Sequence, residues 1–504
     1  MSRELLVGID IGTQGTKAIA IDLAGVIQGT GYSSYQFEVP QPGWSEQHPD
    51  LWWNGVIDAL TQLWEKGIRP QDVQGIGAAG QMHSSVLLSE KKEVLGTAIL
   101  WNDVRTAVEC REIESLVGEK RIYDITRNSV LPGFTAPKLL WIRKHQPERY
   151  ERIRHVLLPK DYIVFRLSGE LSGDVSDASG TGLFNVADRQ WADDVIRELG
   201  IPRTWMPEVH ESSTVVGYVT GEAAKVTGLK KGTPIVAGAG DNAAAALGNG
   251  IFKEGTGLVS VGTSGIVLMP LQRIPDVSDM DPDLKTLHMF CHCLPDTWHA
   301  MGVTLSAGMS LRWLRDSFKF ASYDQMLAGT AEIAPGAEDL FFLPYLNGER
   351  TPHNDPNARG VFFGMHFGHT MEHFVRAVLE GVAYSLRDCL ELIKRLQPHS
   401  EIKEMFLTGG AVKSPEWSQI LADVLTCRLI GYEEREGPAF GAALLAGLGT
   451  GIWKQPQELP GQSGVPRITE VNSEIADRYD RLYPIYRDLY PSLRPVFQTL
   501  HARK

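Results

Sequence analysis

Basic residues are too few in this chain for a protein that binds nucleic acid or an anionic membrane. Its 504 residues include 49 Lys and Arg against 61 Asp and Glu, a formal net charge of −12. Both kinds of partner need clustered Lys and Arg side chains. Uninterrupted apolar runs are also short, and none reaches the roughly 18 residues of a membrane-spanning helix. We therefore expect no nucleic acid and no membrane among its partners.

Cysteine is scarce as well, with five residues scattered along the chain rather than grouped into a disulfide framework. Cys291 and Cys293 flank a histidine, but zinc sites usually separate their cysteines by two to four residues. This pattern favours a strand with small buried thiols. The segment Met1–Glu4 leads directly into a strand pattern with no signal peptide, so we expect a cytoplasmic protein.

Two catalytic motifs are missing from the sequence. Without a Gly-x-x-x-x-Gly-Lys-Ser/Thr loop the chain is not a P-loop enzyme, and no Gly-x-Ser-x-Gly string supports an esterase. Gly75–Gly80 matches the dinucleotide fingerprint Gly-x-Gly-x-x-Gly. Its glycines, however, lie inside an apolar strand pattern, and no clear helix follows. We therefore do not predict a Rossmann site here.

A second glycine string, Gly238–Ala243, follows an apolar strand and opens an alanine-rich helix. It is no better as a dinucleotide site, because Asp241 would place a carboxylate where a pyrophosphate must lie. A side chain at this position projects into the cleft at the carboxyl end of the strand. Asp is also a favoured N-cap residue, and the two interpretations of Asp241 are compatible.

What the chain does contain is one short motif that occurs twice, Gly12-Thr13-Gln14-Gly15 and Gly262-Thr263-Ser264-Gly265. Apolar runs flank both copies, so each predicts two strands joined by a turn. Glycine permits close backbone approach, and turn amides with a threonine hydroxyl suit a phosphate. Only the first copy is preceded by a carboxylate, Asp10. This combination predicts a magnesium-nucleotide site between two similar halves.

The length predicts two or more domains, since single cores stop growing at roughly 250–300 residues. Alternating strand and helix patterns predict a layered α/β fold. Dense glycines near residue 250 predict a boundary, with an N-terminal domain over 1–248 and a C-terminal domain over 249–504. The polar stretch Asp174–Thr181 predicts a loop near the cleft mouth. The Tyr- and Arg-rich segment Ile475–Leu493 predicts a surface helix.

Several longer strings resemble the FGGY family of carbohydrate kinases over nearly the whole chain. Gly133–Trp141 resembles the family's first signature, and Gly360–Gly364 with its continuation to Glu380 resembles the second. Four more strings resemble the branch of the family that phosphorylates D-xylulose: Gly80–His83, Trp101–Asp103, Gly240–Ala244 and Gly348–His353. Together these strings are highly specific, although any one of them would be weak.

The resemblance implies an actin-like, ribonuclease-H-like fold in each half, with ATP and sugar in the cleft between them. It implies ATP-dependent phosphorylation of D-xylulose to D-xylulose 5-phosphate, with Asp241 as the general base. It also implies that Met82 and His83 contact the sugar, and we place Asn242 in the same pocket. Trp101 either lines that pocket or belongs to the core.

For the nucleotide, the resemblance implies that Asp10 serves magnesium and the phosphates, and that Gly409 and Gly410 lie against the adenosine. The backbone around Gly12, Thr13, Gly262 and Thr263 would hold the phosphate chain. The sequence departs from many relatives at Gln14, where they carry Ser or Thr. A hydrogen bond from a side-chain hydroxyl to the phosphate is therefore in doubt at that position, but the backbone N–H groups of the turn can still bind it.

Two other hypotheses stay open. The chain is compatible with a kinase for another ketopentose or polyol of the same family, which residues near Met82, His83 and Asn242 would decide. A non-catalytic sugar sensor with an actin-like fold is the alternative from a different class, and Asp241 speaks against it. Apolar surface on the C-terminal half is compatible with a homodimer, but the sequence does not fix the oligomeric state.

Overall fold

Two seven-stranded sheets form the centres of the two halves of the molecule. The computed structural model describes residues 4–276, 281–432, 436–462 and 464–502. Helices pack against both sheets, and within these ranges none is long and apolar enough to cross a membrane. The α/β class predicted from the alternating strand and helix patterns is confirmed.

The N-terminal sheet brings three parallel strand ends to one edge. Its strands are β1 (Leu5–Ile11), β2 (Gly15–Asp22), β3 (Ile27–Ser34), β4 (Val73–Gly80), β5 (Val215–Tyr218), β6 (Pro234–Val236) and β7 (Ala239–Gly240). Their order is β5-β6-β4-β1-β2-β3, with β7 also paired to β4. The first three form an antiparallel meander, whereas β4 runs parallel to β1, β6 and β7.

The C-terminal sheet repeats this arrangement. Its strands are β8 (Thr256–Val261), β9 (Gly265–Leu271), β10 (His288–Cys291), β11 (Trp298–Thr304), β12 (Glu404–Gly409), β13 (Leu429–Gly431) and β14 (Arg467–Thr469). Their order is β10-β11-β9-β8-β12-β13-β14. The β8–β9 hairpin with parallel β12 corresponds to the β1–β2 hairpin with parallel β4, as the repeated motif predicts.

Helices and short strands complete the two halves. The helices of the first half are α1 (Pro49–Glu65), α2 (Ala107–Val117), α3 (Glu119–Thr126), α4 (Thr135–His145), α5 (Pro147–Glu151), α6 (Pro159–Ser168), α7 (Val175–Ala178), α8 (Asp193–Glu198), α9 (Gly221–Thr227) and α10 (Asp241–Gly248). Those of the second half are α11 (Gly308–Ser317), α12 (Tyr323–Leu327), α13 (Met371–Leu396), α14 (Pro415–Leu425), α15 (Pro438–Gly449) and α16 (Ser473–His501). Short paired strands outside the large sheets are Glu46–Gln47, Val86–Leu88, Ala98–Ile99, His155–Leu157, Ser172–Asp174, Phe184–Asn185, Gln190–Trp191, Glu208–His210, Phe341–Leu343 and Val361–Phe363.

Helix α15 belongs to the second half of the chain but packs on the N-terminal sheet at backbone contact. A Cβ atom on Gly8 of β1 would lie 1.8 Å from the carbonyl oxygen of Ala439, and one on Gly77 of β4 would lie 2.0 Å from that of Ala442. This packing explains the glycines of Gly75–Gly80. They lie within β4, where two of them make room for a helix, and they do not form a dinucleotide loop.

Two expectations about polar segments need correction. The stretch Asp174–Thr181 is not a polar loop at the cleft mouth: it is buried, and it contains the end of the strand Ser172–Asp174 and helix α7. The surface-helix prediction for 475–493 is correct for one face of α16 only. On the other face Tyr479 and Tyr483 are buried, and their hydroxyls donate hydrogen bonds to carboxylates of α13. The buried thiols expected at Cys291 and Cys293 are confirmed.

The packing of α15 predicts the effect of adding one methyl group. We expect Gly77→Ala to destabilise the protein by about 3 kcal/mol or more, because the new Cβ meets main-chain atoms that no rotamer change can move. Thermal unfolding measures this loss. Gly29→Ala in β3 is the matched control, since its Cβ would meet its nearest neighbours at an ordinary 3.4 Å. Equal unfolding temperatures for the two variants would contradict the proposed packing.

Candidate functional site

Three strand ends of the N-terminal sheet carry the polar residues predicted from the sequence. β4 lies between β1 and β7, and all three run parallel. Asp10 lies near the end of β1, Gln81-Met82-His83 follows β4, and Asp241 follows β7 as the first residue of α10. Because the ends of parallel strands meet at one edge, the structure brings these residues together.

Asp241 is a partly buried carboxylate at the first position of α10. The N-cap is Gly240 rather than Asp241, so the capping interpretation does not account for the residue. Its Oδ1 accepts hydrogen bonds from the backbone N–H and the side-chain amide of Asn242, at 2.7 and 3.0 Å. Burial raises the pKa of Asp241 to about 6, and the Asn242 N–H partly offsets this. Such a carboxylate is ionised near neutral pH but more basic than an ordinary aspartate.

His83 has one ring nitrogen fixed by the protein. Its Nδ1 lies 2.6 Å from the carbonyl oxygen of Gly180, and because a carbonyl can only accept, Nδ1 carries the proton. Burial lowers the pKa of His83 to about 3, so the ring is neutral and Nε2 keeps a lone pair. The ring also stacks on Phe134, with centroids 4.7 Å apart. His83 therefore offers a hydrogen-bond acceptor in a fixed orientation.

The backbone of His83 is held by two residues whose role sequence reasoning missed. His83 has a φ of +68°, a left-handed conformation that is uncommon outside glycine. Its carbonyl oxygen accepts hydrogen bonds from Lys138 Nζ at 2.9 Å and from Thr135 Oγ1 at 3.0 Å. Burial lowers the pKa of Lys138 well below its ordinary value. Both residues belong to the string Gly133–Trp141 noted in the sequence. That string marked the segment, but it did not predict the contacts of Thr135 and Lys138 with His83.

Met82 and Trp101 take different positions in the site. Met82 is 4% exposed, and Cβ atoms on Gly180 and Gly240 would approach its side chain to 2.9 and 3.0 Å, so it packs between two glycines. Trp101 is 44% exposed and is not a core residue. Its indole N–H donates a hydrogen bond to Thr13 Oγ1 at 2.9 Å. Trp101 therefore lies against the first Gly-Thr turn.

Asp10 has a carboxylate oxygen that is free to hold a metal ion. Its Oδ1 is buried and has no hydrogen-bond partner among the described residues. Burial, with a further contribution from Asp241, raises the pKa of Asp10 to about 8, although Lys17 acts in the opposite direction. Lys17 itself pairs with Glu436 at 2.9 Å. A buried oxygen that lacks a donor fits a hard cation such as Mg²⁺, which prefers carboxylate and water ligands.

In both Gly-Thr turns the carbonyl oxygens accept hydrogen bonds, whereas two N–H groups of each turn donate none within the described structure. Gly12 O accepts from the Tyr35 hydroxyl at 2.9 Å, and Thr13 O accepts from Gln47 Nε2 at 2.7 Å. In the second turn, Gly262 O and Thr263 O accept from backbone N–H groups at the start of α11. In the described parts of the chain, the N–H groups of residues 13, 14, 263 and 264 donate no hydrogen bond. Each turn therefore presents two donors that an anion can use.

A cavity of about 530 Å³ opens beside the second turn. Gly262, Thr263 and Gly410, three of the residues predicted to bind the nucleotide, line this cavity. Gly409 lies behind them with a φ of +85°, and its Cβ would approach Val261 O to 2.4 Å. Sequence reasoning missed the rest of the lining, which comes from α11, α12 and the start of α14: Gly308, Met309, Leu311, Arg312, Tyr323, Asp324, Leu327, Lys413, Ser414 and Trp417.

The sequence matches known proteins along almost its whole length. The N-terminal domain model of the FGGY family of carbohydrate kinases matches residues 5–248, and the C-terminal domain model matches residues 257–450. The xylulose kinase of Escherichia coli is 39% identical over 500 residues, which cover 98% of this chain and all of that protein.

Solved structures give the same result for the fold. A crystal structure of a xyloylose kinase from Brucella ovis has a TM-score of 0.90 at 35% identity, covering 98% of this chain and 100% of that one. A gluconate kinase from Lactobacillus acidophilus has a TM-score of 0.92 at 25% identity, covering 99% and 100%. The two-domain FGGY kinase fold, of the actin-like class, is therefore shared by kinases whose names give different substrates.

Proposed function

The chain belongs to the FGGY family of carbohydrate kinases, and we propose that its substrate is D-xylulose, which it converts to D-xylulose 5-phosphate with ATP. Phosphorylation of a sugar by ATP follows from the family. The choice of D-xylulose as the substrate is supported by the full-length similarity to xylulose kinases. The observation on which the mechanism rests is the partly buried Asp241 carboxylate, which follows β7, the strand paired with the one that precedes His83.

Asp241 is the general base in this proposal. A sugar hydroxyl is a poor nucleophile at neutral pH, and a carboxylate that takes its proton contributes roughly 10²–10⁴-fold. The hydroxyl oxygen bonds to the γ-phosphorus of ATP, the bond from that phosphorus to the bridging oxygen breaks, and ADP leaves. The proton passes to Asp241, whose pKa of about 6 suits it to this task.

His83, Asn242 and Trp101 orient the sugar. The Nε2 atom of His83 accepts a hydrogen bond from a sugar hydroxyl, because Nδ1 is committed to Gly180. Asn242 uses one amide hydrogen on Asp241 and has a second for the substrate. Trp101 offers an exposed aromatic face beside the first turn.

The nucleotide lies between the two Gly-Thr turns, with its adenosine in the 530 Å³ cavity. Free turn amides of both halves bind the phosphate chain, so that domain 1–248 and domain 249–504 each contribute one turn. Asp10 holds Mg²⁺, which when bound neutralises charge on the phosphates. Closure of the two halves over the sugar excludes water, which would otherwise compete as a nucleophile.

Another substrate of the same family is the second candidate. The gluconate kinase named above has the same fold at 25% identity, so the fold alone does not select D-xylulose. A non-catalytic sensor is disfavoured, because both family models and the full-length relatives named above are kinases.

A substrate panel tests the proposal directly. We expect D-xylulose to give the highest kcat/KM among D-xylulose, D-ribulose, L-ribulose, xylitol, glycerol and gluconate, measured as sugar-dependent ADP release. A kcat/KM at least tenfold higher for any other member would overturn the choice of D-xylulose and leave the family's chemistry intact.

Removal of the proposed base should abolish most turnover. We expect Asp241→Ala to lower kcat by roughly 10²–10⁴-fold while the unfolding temperature stays near that of the wild type. Asp193→Ala, which removes an aspartate from the same first position of α8, should keep full activity. In the wild type kcat/KM should fall as the pH drops below about 6, because a protonated Asp241 cannot accept the sugar's proton. Near-normal turnover in Asp241→Ala would exclude Asp241 as the base.

The assignment of Asp10 predicts a change in magnesium dependence. We expect Asp10→Asn to raise the Mg²⁺ concentration needed for half-maximal turnover by about tenfold or more, since a neutral amide attracts a cation less strongly than a carboxylate. Asp22→Asn, at the far end of the same hairpin, is the control and should leave the dependence unchanged. An unchanged magnesium dependence in Asp10→Asn would remove the residue from the metal site.

A further inference from the structure

We propose that Ser176 is a positioning residue for the base, and that with Asp174 and Lys160 it fixes the backbone from which Asp241 projects. The inference rests on the proposed role of Asp241. It concerns the buried segment 172–181, for which the sequence suggested only a loop.

The first step is a single hydrogen bond to the residue before Asp241. β7 pairs with β4 along one of its sides, and the N–H of Gly240 donates to Ser176 Oγ at 3.0 Å. Ser176 is fully buried, so no water replaces this acceptor. The hydroxyl therefore fixes the peptide that leads into Asp241.

The second step concerns the hydrogen bonds that hold Ser176 in place. Ser176 Oγ donates to Asp174 Oδ2 at 2.6 Å, and the Ser176 N–H donates to the same oxygen at 2.8 Å. Ser212 Oγ also donates to this oxygen, at 2.7 Å. The other oxygen, Oδ1, lies 2.9 Å from Lys160 Nζ. A carboxylate held by this many donors has little freedom to rotate, so Ser176 has a fixed direction as well.

Lys160 supplies the countercharge for this anchor. Its side chain is completely buried, and its ammonium group contacts both Asp161 and Asp174. Although burial lowers the pKa of Lys160, the two neighbouring carboxylates outweigh it and raise that pKa above its ordinary value. Oxygens of Asp161, Asp174 and Asp177 lie within 4.8 Å of one another, a spacing that would suit a metal ion, but the ammonium group already occupies this cluster.

The same segment also reaches the sugar-binding side. Lys160, which pairs with Asp174 of this segment, packs against the end of β4, since a Cβ on Gly80 would lie 3.2 Å from the Cβ of Lys160. Shortly after α7, the carbonyl of Gly180 fixes the ring of His83. The segment 172–181 thus sets the orientation of two groups on neighbouring strand ends, the base through Ser176 and the acceptor histidine through Gly180.

Two serine-to-alanine variants separate positioning from stability. Ser176→Ala and Ser212→Ala each remove a buried hydroxyl that donates to Asp174 Oδ2, but only Ser176 accepts from Gly240. We expect Ser176→Ala to lower kcat by about 10–100-fold, the scale expected when a reacting group is displaced by about 1 Å. KM for ATP should change less than twofold, because the nucleotide cavity lies in the other half. Ser212→Ala should lose no more than about threefold in kcat.

The outcomes are distinct from those of the proposed function. If Asp241→Ala abolishes turnover while the two serine variants lose kcat equally, the positioning role of Ser176 is wrong and the base assignment stands. A Ser176→Ala kcat near that of the wild type overturns the inference in the same way. If Asp241→Ala retains turnover, the base assignment itself fails. Should Ser176→Ala not fold, Ser176→Cys retains a slightly larger side chain with a weaker acceptor, and it should still show a larger kcat loss than Ser212→Cys, which adds the same volume at an equally buried position.

Discussion

The site depends on close backbone packing of two helices from different halves of the chain. Helix α15 lies directly on β1 and β4 because those strands carry Gly8 and Gly77 where side chains would collide with it. Helix α10 in turn approaches α15, since a Cβ on Gly441 would lie 1.9 Å from the carbonyl of Ala244. The helix that begins with Asp241 is therefore held against a helix that is itself fixed on the sheet, and little freedom remains for the backbone at Asp241.

Burial shifts the pKa values of the titratable groups at the strand ends of the N-terminal sheet in directions that match their proposed roles. It raises the pKa of Asp241 and of Asp10, and it lowers the pKa of His83. The same cause thus yields a more basic carboxylate and a histidine that stays neutral. Lys160 differs, because two carboxylates contact it and keep it charged. What distinguishes Lys160 from Asp241 and His83 is an oppositely charged partner within hydrogen-bond distance.

The sequence predicted those parts of the fold that depend on local pattern. The two Gly-Thr hairpins and the strand end that carries Asp241 follow from hydrophobic pattern and glycine placement. It failed for Asp174–Thr181, because a string of Asp, Ser and Gly looks like a solvated loop when its partners are unknown. Lys160 and Ser212, which make that segment a buried network, are distant in sequence. The hydrogen bond from Trp101 to Thr13 and the lining of the nucleotide cavity depend on the same kind of long-range contact.

The charges at the strand ends explain why a cation belongs to this chemistry. Burial raises the pKa of both Asp10 and Asp241, and the charge of Asp241 raises the pKa of Asp10 further. Lys17 lies beside Asp10 in the β1–β2 pair, but its ammonium group is paired with Glu436 and is only partly available to compensate. Without a further positive charge, Asp10 keeps a proton near neutral pH. With Asp10 protonated, the negative charge that a polyphosphate meets at this edge is that of Asp241. In the proposed mechanism, a cation held by Asp10 would offset this charge.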